Sequence, residues 1–197
     1  MKKSLLTILF LLSLSQSIAS LVDSTKYRKL NLKKHCISYK KGDTLPFTGI
    51  AYKNYLGGKR KRSSKLEYGL SEGKTINYYR NGKIESVEMW KNGSIQSSIR
   101  YSKSGKIVLT TEFENGYLSY KTIRYEKNGV KSYEYNINNG NYNGPYKIYH
   151  SNGRLSSLML YENGKKVGIW IYYDEDGKVE YKEHYKDGKR DFTEYLE

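Results

Sequence analysis

Cysteine, proline and histidine are nearly missing from this chain. Cys36 is the single cysteine among 197 residues, so no internal disulfide can form and stability must come from packing and strand pairing. Pro46 and Pro145 are the only prolines, which leaves strand interiors free of the residue that breaks a ladder. His35, His150 and His184 are the only histidines. None pairs with another at metal-ligand spacing, and His35 beside Cys36 would lie on the opposite face of a strand. Carboxylates are scattered, and "DED" at Asp174, Glu175 and Asp176 reads as a solvated turn rather than an acid–base pair. No glycine-rich phosphate loop leads into a helix, because almost nothing reads as helix. These absences point to a non-enzymatic protein with no catalytic set, no metal and no cofactor.

A long apolar run is also missing. One short run, "LLTILFLLSLS", follows the basic start Met1-Lys2-Lys3, and Ser17 and Ala19 are small residues at peptidase spacing. The run is too short to span a bilayer. It predicts a signal peptide over residues 1–19, cleavage after Ala19, and export to the periplasm, cell surface or medium. The mature chain is then not expected to be an integral membrane protein.

Acidic residues are few against basic ones: the net charge is +15. The excess is uneven. Residues 20–45 carry seven basic and two acidic side chains, residues 46–69 carry six and one, and residues 165–197 carry seven and nine. A cationic N-terminal third suits an anionic partner or surface. Its densest cluster is Lys59, Arg60, Lys61 and Arg62 in "GGKRKR", read as a hairpin tip and as a candidate contact for phosphate or carboxylate groups.

What the chain has in abundance is a repeat. Gly82, Gly105, Gly129, Gly153 and Gly177 step by 23, 24, 24 and 24 residues. Gly69, Gly93, Gly116, Gly140, Gly164 and Gly188 step by 24, 23, 24, 24 and 24. Most of these glycines follow Asn or Asp, a pair suited to the type I′ hairpin turn. Between them the chain is rich in Tyr, Ile, Val and Thr, which favour a pleated surface. "VEYKEHY" alternates apolar and polar residues at its start, the period of a strand with two unlike faces. The reading is all-β: tandem hairpins of about 24 residues forming an elongated, twisted antiparallel meander or solenoid. Residues 20–45 form a basic lead-in, and residues 46–197 form six units and a terminal half unit. One core cannot cover both faces of such a sheet. Apolar surface must be hidden by curling, by the N-terminal segment or by a partner. Most of the 22 tyrosines are expected to stack across strands, at about 0.2–1 kcal/mol per pair. A minority would form an exposed stripe for protein or glycan contact. Trp90 and Trp170 read as packing anchors.

"GKTINYYRNGKIESVEMWKNG" (residues 73–93) and "GIWIYYDEDGKVEYKEHYKDGK" (residues 168–189) resemble the MORN-repeat variant, and "LPFTGIAYKNY" resembles the motif that opens such arrays. Ser97 and Tyr120 stand where Gly73, Gly144 and Gly168 begin other units, so the two middle units are expected to depart in strand geometry. The resemblance implies a stacked hairpin array. It also implies an antitoxin-like role of the YwqK type or a scaffold role at membranes. The leading expectation is an exported, non-enzymatic protein-interaction module of the cell envelope or cell surface. The alternatives are a binder of anionic envelope polymer or membrane surface, and an antitoxin or immunity-like protein. Nucleic acid is disfavoured, because export removes it as a partner.

Overall fold

The computed structural model describes Ser24–Lys26, Leu30–Lys33 and residues 37–196. The apolar start, the cleavage point after Ala19, His35 and Cys36 lie outside the described residues. Every helix or strand among the described residues is a strand. They fall into two compact units. One ends at Gly82 and includes Trp90–Gly93; the other comprises Lys83–Met89 and the chain from Ser94 onward.

The first unit holds β1 (Ser24–Lys26), β2 (Leu30–Lys33), β3 (Ile37–Lys40), β4 (Gly49–Asn54), β5 (Arg60–Glu67) and β6 (Leu70–Tyr78). β4, β5 and β6 pair antiparallel in chain order, as tight turns require. β1 joins β4 in parallel, a pairing that a three-residue segment with no measurable alternation does not announce. β2 and β3 form a separate antiparallel pair. β3 then seats on the first hairpin. Ser38 N–H donates to the Gly69 carbonyl (2.9 Å), Gly69 N–H to the Phe47 carbonyl (2.7 Å), and Phe47 N–H to the Ser38 carbonyl (2.9 Å). Phe47, Ala51 and Leu66 form the buried apolar cluster beside this closure.

β7 (Ile84–Lys91) contributes its first residues to the second unit and its last two to the first. The second unit continues with β8 (Ser94–Tyr101), β9 (Ile107–Asn115), β10 (Ser119–Tyr125), β11 (Lys131–Asn138), β12 (Asn141–Tyr142) and β13 (Gly144–Tyr149). It closes with β14 (Leu155–Glu162), β15 (Lys165–Tyr173), β16 (Val179–Lys186) and β17 (Lys189–Tyr195). From β8 onward each strand pairs antiparallel with the next, and the short β12 lies beside β13 on β11. The expected meander of consecutive hairpins is the observed architecture.

The turns are of two kinds, not one. Asn92, Asn139, Asn163 and Asp187 have φ of 48°, 47°, 48° and 51°, and the glycine after each is also positive. These are the expected type I′ turns. At Gly82, Gly105, Gly129, Gly153 and Gly177 only the glycine is positive. There the glycine N–H donates three residues back, as Gly105 does to Ser102 (2.9 Å), and Ser102 N–H donates to the Lys106 carbonyl (2.8 Å). That is a three-residue loop: a type I turn closed by a left-handed glycine. The uniform type I′ expectation is therefore corrected for this series. An Asn-Gly pair suits either turn, and the number of residues between paired strand ends decides. Gly116, in the other series, also has a positive φ.

The middle units depart as expected. Gly73 and Gly168 take positive φ beside breaks in the strand register, and Gly144 takes it where β12 gives way to β13. Ser97 and Tyr120 do not take that left-handed backbone, and from Tyr120 to Arg124 the register of β10 on the preceding β9 runs unbroken. A residue with a Cβ does not readily adopt the conformation that the bulge needs.

Candidate functional site

The four sequence-nominated cations do not share one hairpin tip. Gly57 and Gly58 make the turn, while Arg60, Lys61 and Arg62 belong to β5 and so alternate between faces. The Arg60 guanidinium lies 4.1 Å from the centroid of the Tyr52 ring. With Lys59, Ile50, Ser63 and Tyr78 it lines an open depression of about 540 Å³. Lys61 and Arg80 both lie over the Tyr55 ring, at 5.5 and 5.4 Å. The Tyr55 hydroxyl donates to the Tyr78 carbonyl (2.6 Å), which fixes that ring. Arg62 turns instead to Ser64 (3.4 Å). Among the described residues, Lys59, Arg60, Lys61 and Arg80 make no ion pair. A cation held on a ring face keeps its charge available, because the ring is neutral.

The second unit also holds cations over rings, as Lys166 over Trp170 (4.3 Å), and its rings meet one another as well. Its aromatic side chains run from ring to ring: Phe113 to Tyr120 (5.7 Å), Tyr120 to Tyr135 (6.5 Å) and Tyr135 to Tyr146 (5.4 Å). Further along, Tyr142 meets Tyr161 (5.3 Å), Tyr161 meets Trp170 (5.3 Å), and Trp170 meets Tyr185 (4.5 Å). Because the rings cover one another, burial pushes the Tyr135 phenol up to about 12. Trp170 is a packing anchor here, buried and donating from Nε1 to the Leu160 carbonyl (3.1 Å).

With the hairpins, glycine turns and ring rows in place, the chain can be set beside known proteins. The MORN repeat variant family matches residues 71–92, 142–164 and 166–187. Three segments of the chain match the MORN-variant repeat. Between the first two matches lie the units in which Ser97 and Tyr120 replace the expected glycine. No curated protein matches the chain. Among solved structures, a chain in the crystal structure of accessory secretory protein 1, 2 and 3 in Streptococcus pneumoniae is 17% identical, with a TM-score of 0.18. The match covers 62% of this chain and 19% of that one, so this chain spans under a fifth of that protein's length.

His150, His184 and Asp174 make local contacts. His150 Nε2 meets the Tyr173 carbonyl (2.8 Å), and His184 meets Glu194 (3.1 Å) and stacks on Phe192. Asp174 accepts from the N–H groups of Asp176 and Lys178, which makes "DED" a capped turn. No cluster of three or more His, Cys, Asp or Glu placed to hold a metal exists among the described residues. No helix among them is long and apolar enough to cross a membrane.

On β11 the carboxylate of Glu134 is buried, 8% exposed, with Lys131 and Lys147 at 2.9 and 3.0 Å. Burial alone would push its carboxyl up, but hydrogen bonds from the two lysines outweigh this and hold it at about 2. Glu183 is lowered as well: burial raises it, and hydrogen bonds from Arg190, Tyr172 and Tyr185 overcome that. A carboxyl depressed on folding stabilises the fold fully above its unfolded value, and that contribution is lost as pH falls through the folded value. The thermal midpoint is therefore expected to fall between pH 4.5 and about 2. Glu134→Gln should lower the midpoint at neutral pH and flatten this acid limb. A midpoint unchanged by the substitution across that range would refute the assignment.

Proposed function

We propose that this chain is an exported, non-enzymatic binding protein of the cell envelope or cell surface, whose N-terminal unit docks on an acidic partner protein. The observation that carries this reading is the set of ring-seated cations, Arg60 over Tyr52 and Lys61 and Arg80 over Tyr55, without an ion pair among the described residues. The second unit also seats cations on rings, as Arg124 on Tyr133 and Lys166 on Trp170, but its carboxylates Glu134, Glu183 and Glu194 each meet basic side chains. The basic start and short apolar run support export. Tyrosine rings beside basic groups suit protein contact, since Tyr and Arg supply much of the energy at such interfaces.

A second reading, docking on anionic envelope polymer or membrane lipid, is favoured by one feature. The open depression at Lys59 and Arg60 offers room for a single anionic headgroup. The test compares the wild-type chain with the double variant Arg60→Gln/Lys61→Gln. Both are used to capture cross-linked partners from envelope extract and, separately, to bind vesicles containing an anionic lipid. Wild type should capture a reproducible acidic protein, and the double variant should bind it roughly tenfold less tightly, with the difference shrinking as salt rises. Equal capture by the two chains would overturn the docking site. Vesicle binding without protein capture would favour the second reading. Cell fractionation tests export, and a wholly cytoplasmic chain of unprocessed length would refute it.

A further inference from the structure

The second unit holds a groove that the reading above does not use. It lies on one face of β8, β9, β10 and β11 and has a volume of about 820 Å³, within the usual range of small-ligand sites. Strand register sets out its floor in rows. One row runs Ser98, Thr111, Thr122, Tyr135; the next runs Arg100, Leu109, Arg124, Tyr133. Thr111 and Thr122 are 8% and 3% exposed, with their hydroxyls 3.1 Å apart. Beyond them stands a wall of rings, Phe113 against Tyr117 (5.3 Å) and Tyr120 (5.7 Å), with Tyr117 65% exposed.

The opposite end is basic. Arg100 and Arg124 are exposed and flank Leu109 from the two neighbouring strands. Neither makes an ion pair among the described residues. The Arg124 guanidinium lies over the Tyr133 ring (5.8 Å) and reaches its hydroxyl (3.5 Å). Glu126 and Lys127 also line this end, and Glu126 acts on Arg124, so three basic groups stand against one carboxylate.

From this arrangement we propose that the groove binds an acidic carbohydrate, a short chain of sugars bearing carboxylate groups. Each part of such a ligand has a counterpart. The carboxylate meets two guanidinium groups, whose fork of donors matches it. Ring hydroxyls meet the Thr111 and Thr122 hydroxyls, which both donate and accept. The apolar faces of the sugar rings meet Phe113, Tyr117 and Tyr120. An acidic peptide would satisfy the arginines but not the pairing of small hydroxyls with an aromatic wall.

Three probes test the site with the full chain by isothermal titration: trigalacturonate, the neutral trisaccharide maltotriose, and a triglutamate peptide. Trigalacturonate should bind, and the other two should bind at least tenfold more weakly or not at all. Arg100→Gln/Arg124→Gln should weaken trigalacturonate by tenfold or more, and Tyr117→Ala should weaken it with the fold intact, since Tyr117 is exposed. Unchanged thermal midpoints verify that each variant folds. Failure of trigalacturonate to bind at millimolar concentration, equal binding of maltotriose or triglutamate, or unaltered affinity in both variants would each overturn the proposal. Arg60→Gln/Lys61→Gln should leave trigalacturonate binding unchanged, so failure here and failure of the protein-docking reading are separable.

Discussion

Trp170→Ala is expected to destabilise the protein by about 3–5 kcal/mol, the usual cost of truncating a buried tryptophan. The side chain is 3% exposed and sits between Tyr161 and Tyr185, with the Lys166 ammonium 4.3 Å from its ring. It also has a polar duty. The register between β14 and β15 breaks where Gly168 takes a left-handed backbone, and the Trp170 indole N–H donates to the Leu160 carbonyl beside the break. Alanine would leave a void and an unpaired carbonyl together. Trp170→Phe keeps much of the ring area and loses only the donor, so it should cost distinctly less. Urea unfolding followed by circular dichroism measures both. Hydrogen exchange should report the loss first in β14, β15 and β16, because repeat units depend mainly on their neighbours. A loss below about 1 kcal/mol would show that the rings close over the gap.

The same position explains what could be read in advance. Two residues after the opening glycine stand Ala51, Thr75, Tyr146 and Trp170, and Thr122 follows Tyr120 in the same way. The glycine spacing located this position in every such unit, because a hairpin repeat is set by its turns. The residue that fills it was not constrained. It is small or hydroxylic where Thr75 donates to Ser64 (2.8 Å) and Thr122 meets Thr111, and aromatic where rings cover the face. The anionic contact was legible only as a charge run. That Arg60 and Lys61 would settle on Tyr52 and Tyr55 depends on where β5 begins, one residue after the loop glycines and Lys59. The groove at Arg100 and Arg124 was not legible at all. Its members lie on separate strands, and their meeting depends on pairwise register, which a 23-residue step in the repeat obscures.

Gly69→Ala should damage the first unit far more than Gly82→Ala. Both glycines have positive φ, 79° and 88°, so each substitution carries a left-handed penalty of about 1–2 kcal/mol. The surroundings separate them. A Cβ on Gly82 meets nothing within 4 Å, whereas one on Gly69 would collide with the Ile37 side chain and stand 2.7 Å from the Ser38 carbonyl oxygen. Backbone cannot step aside as a side-chain tip can, so a further penalty of about 1–3 kcal/mol is expected. The collision falls on the closure itself, where Ser38, Gly69 and Phe47 exchange backbone hydrogen bonds. β3 should therefore detach before the hairpins melt. Hydrogen exchange would then show lost protection at the Ser38 and Phe47 amides in Gly69→Ala and retained protection in Gly82→Ala. If the two variants were equally stable and equally protected there, the close approach of β3 to this turn would be wrong. Detachment would also break the bond from the Phe47 N–H to the Ser38 carbonyl, beside the cluster of Phe47, Ala51 and Leu66. In the first unit β3 is held by backbone bonds at Phe47 and Gly69, whereas in the second unit rings cover one another.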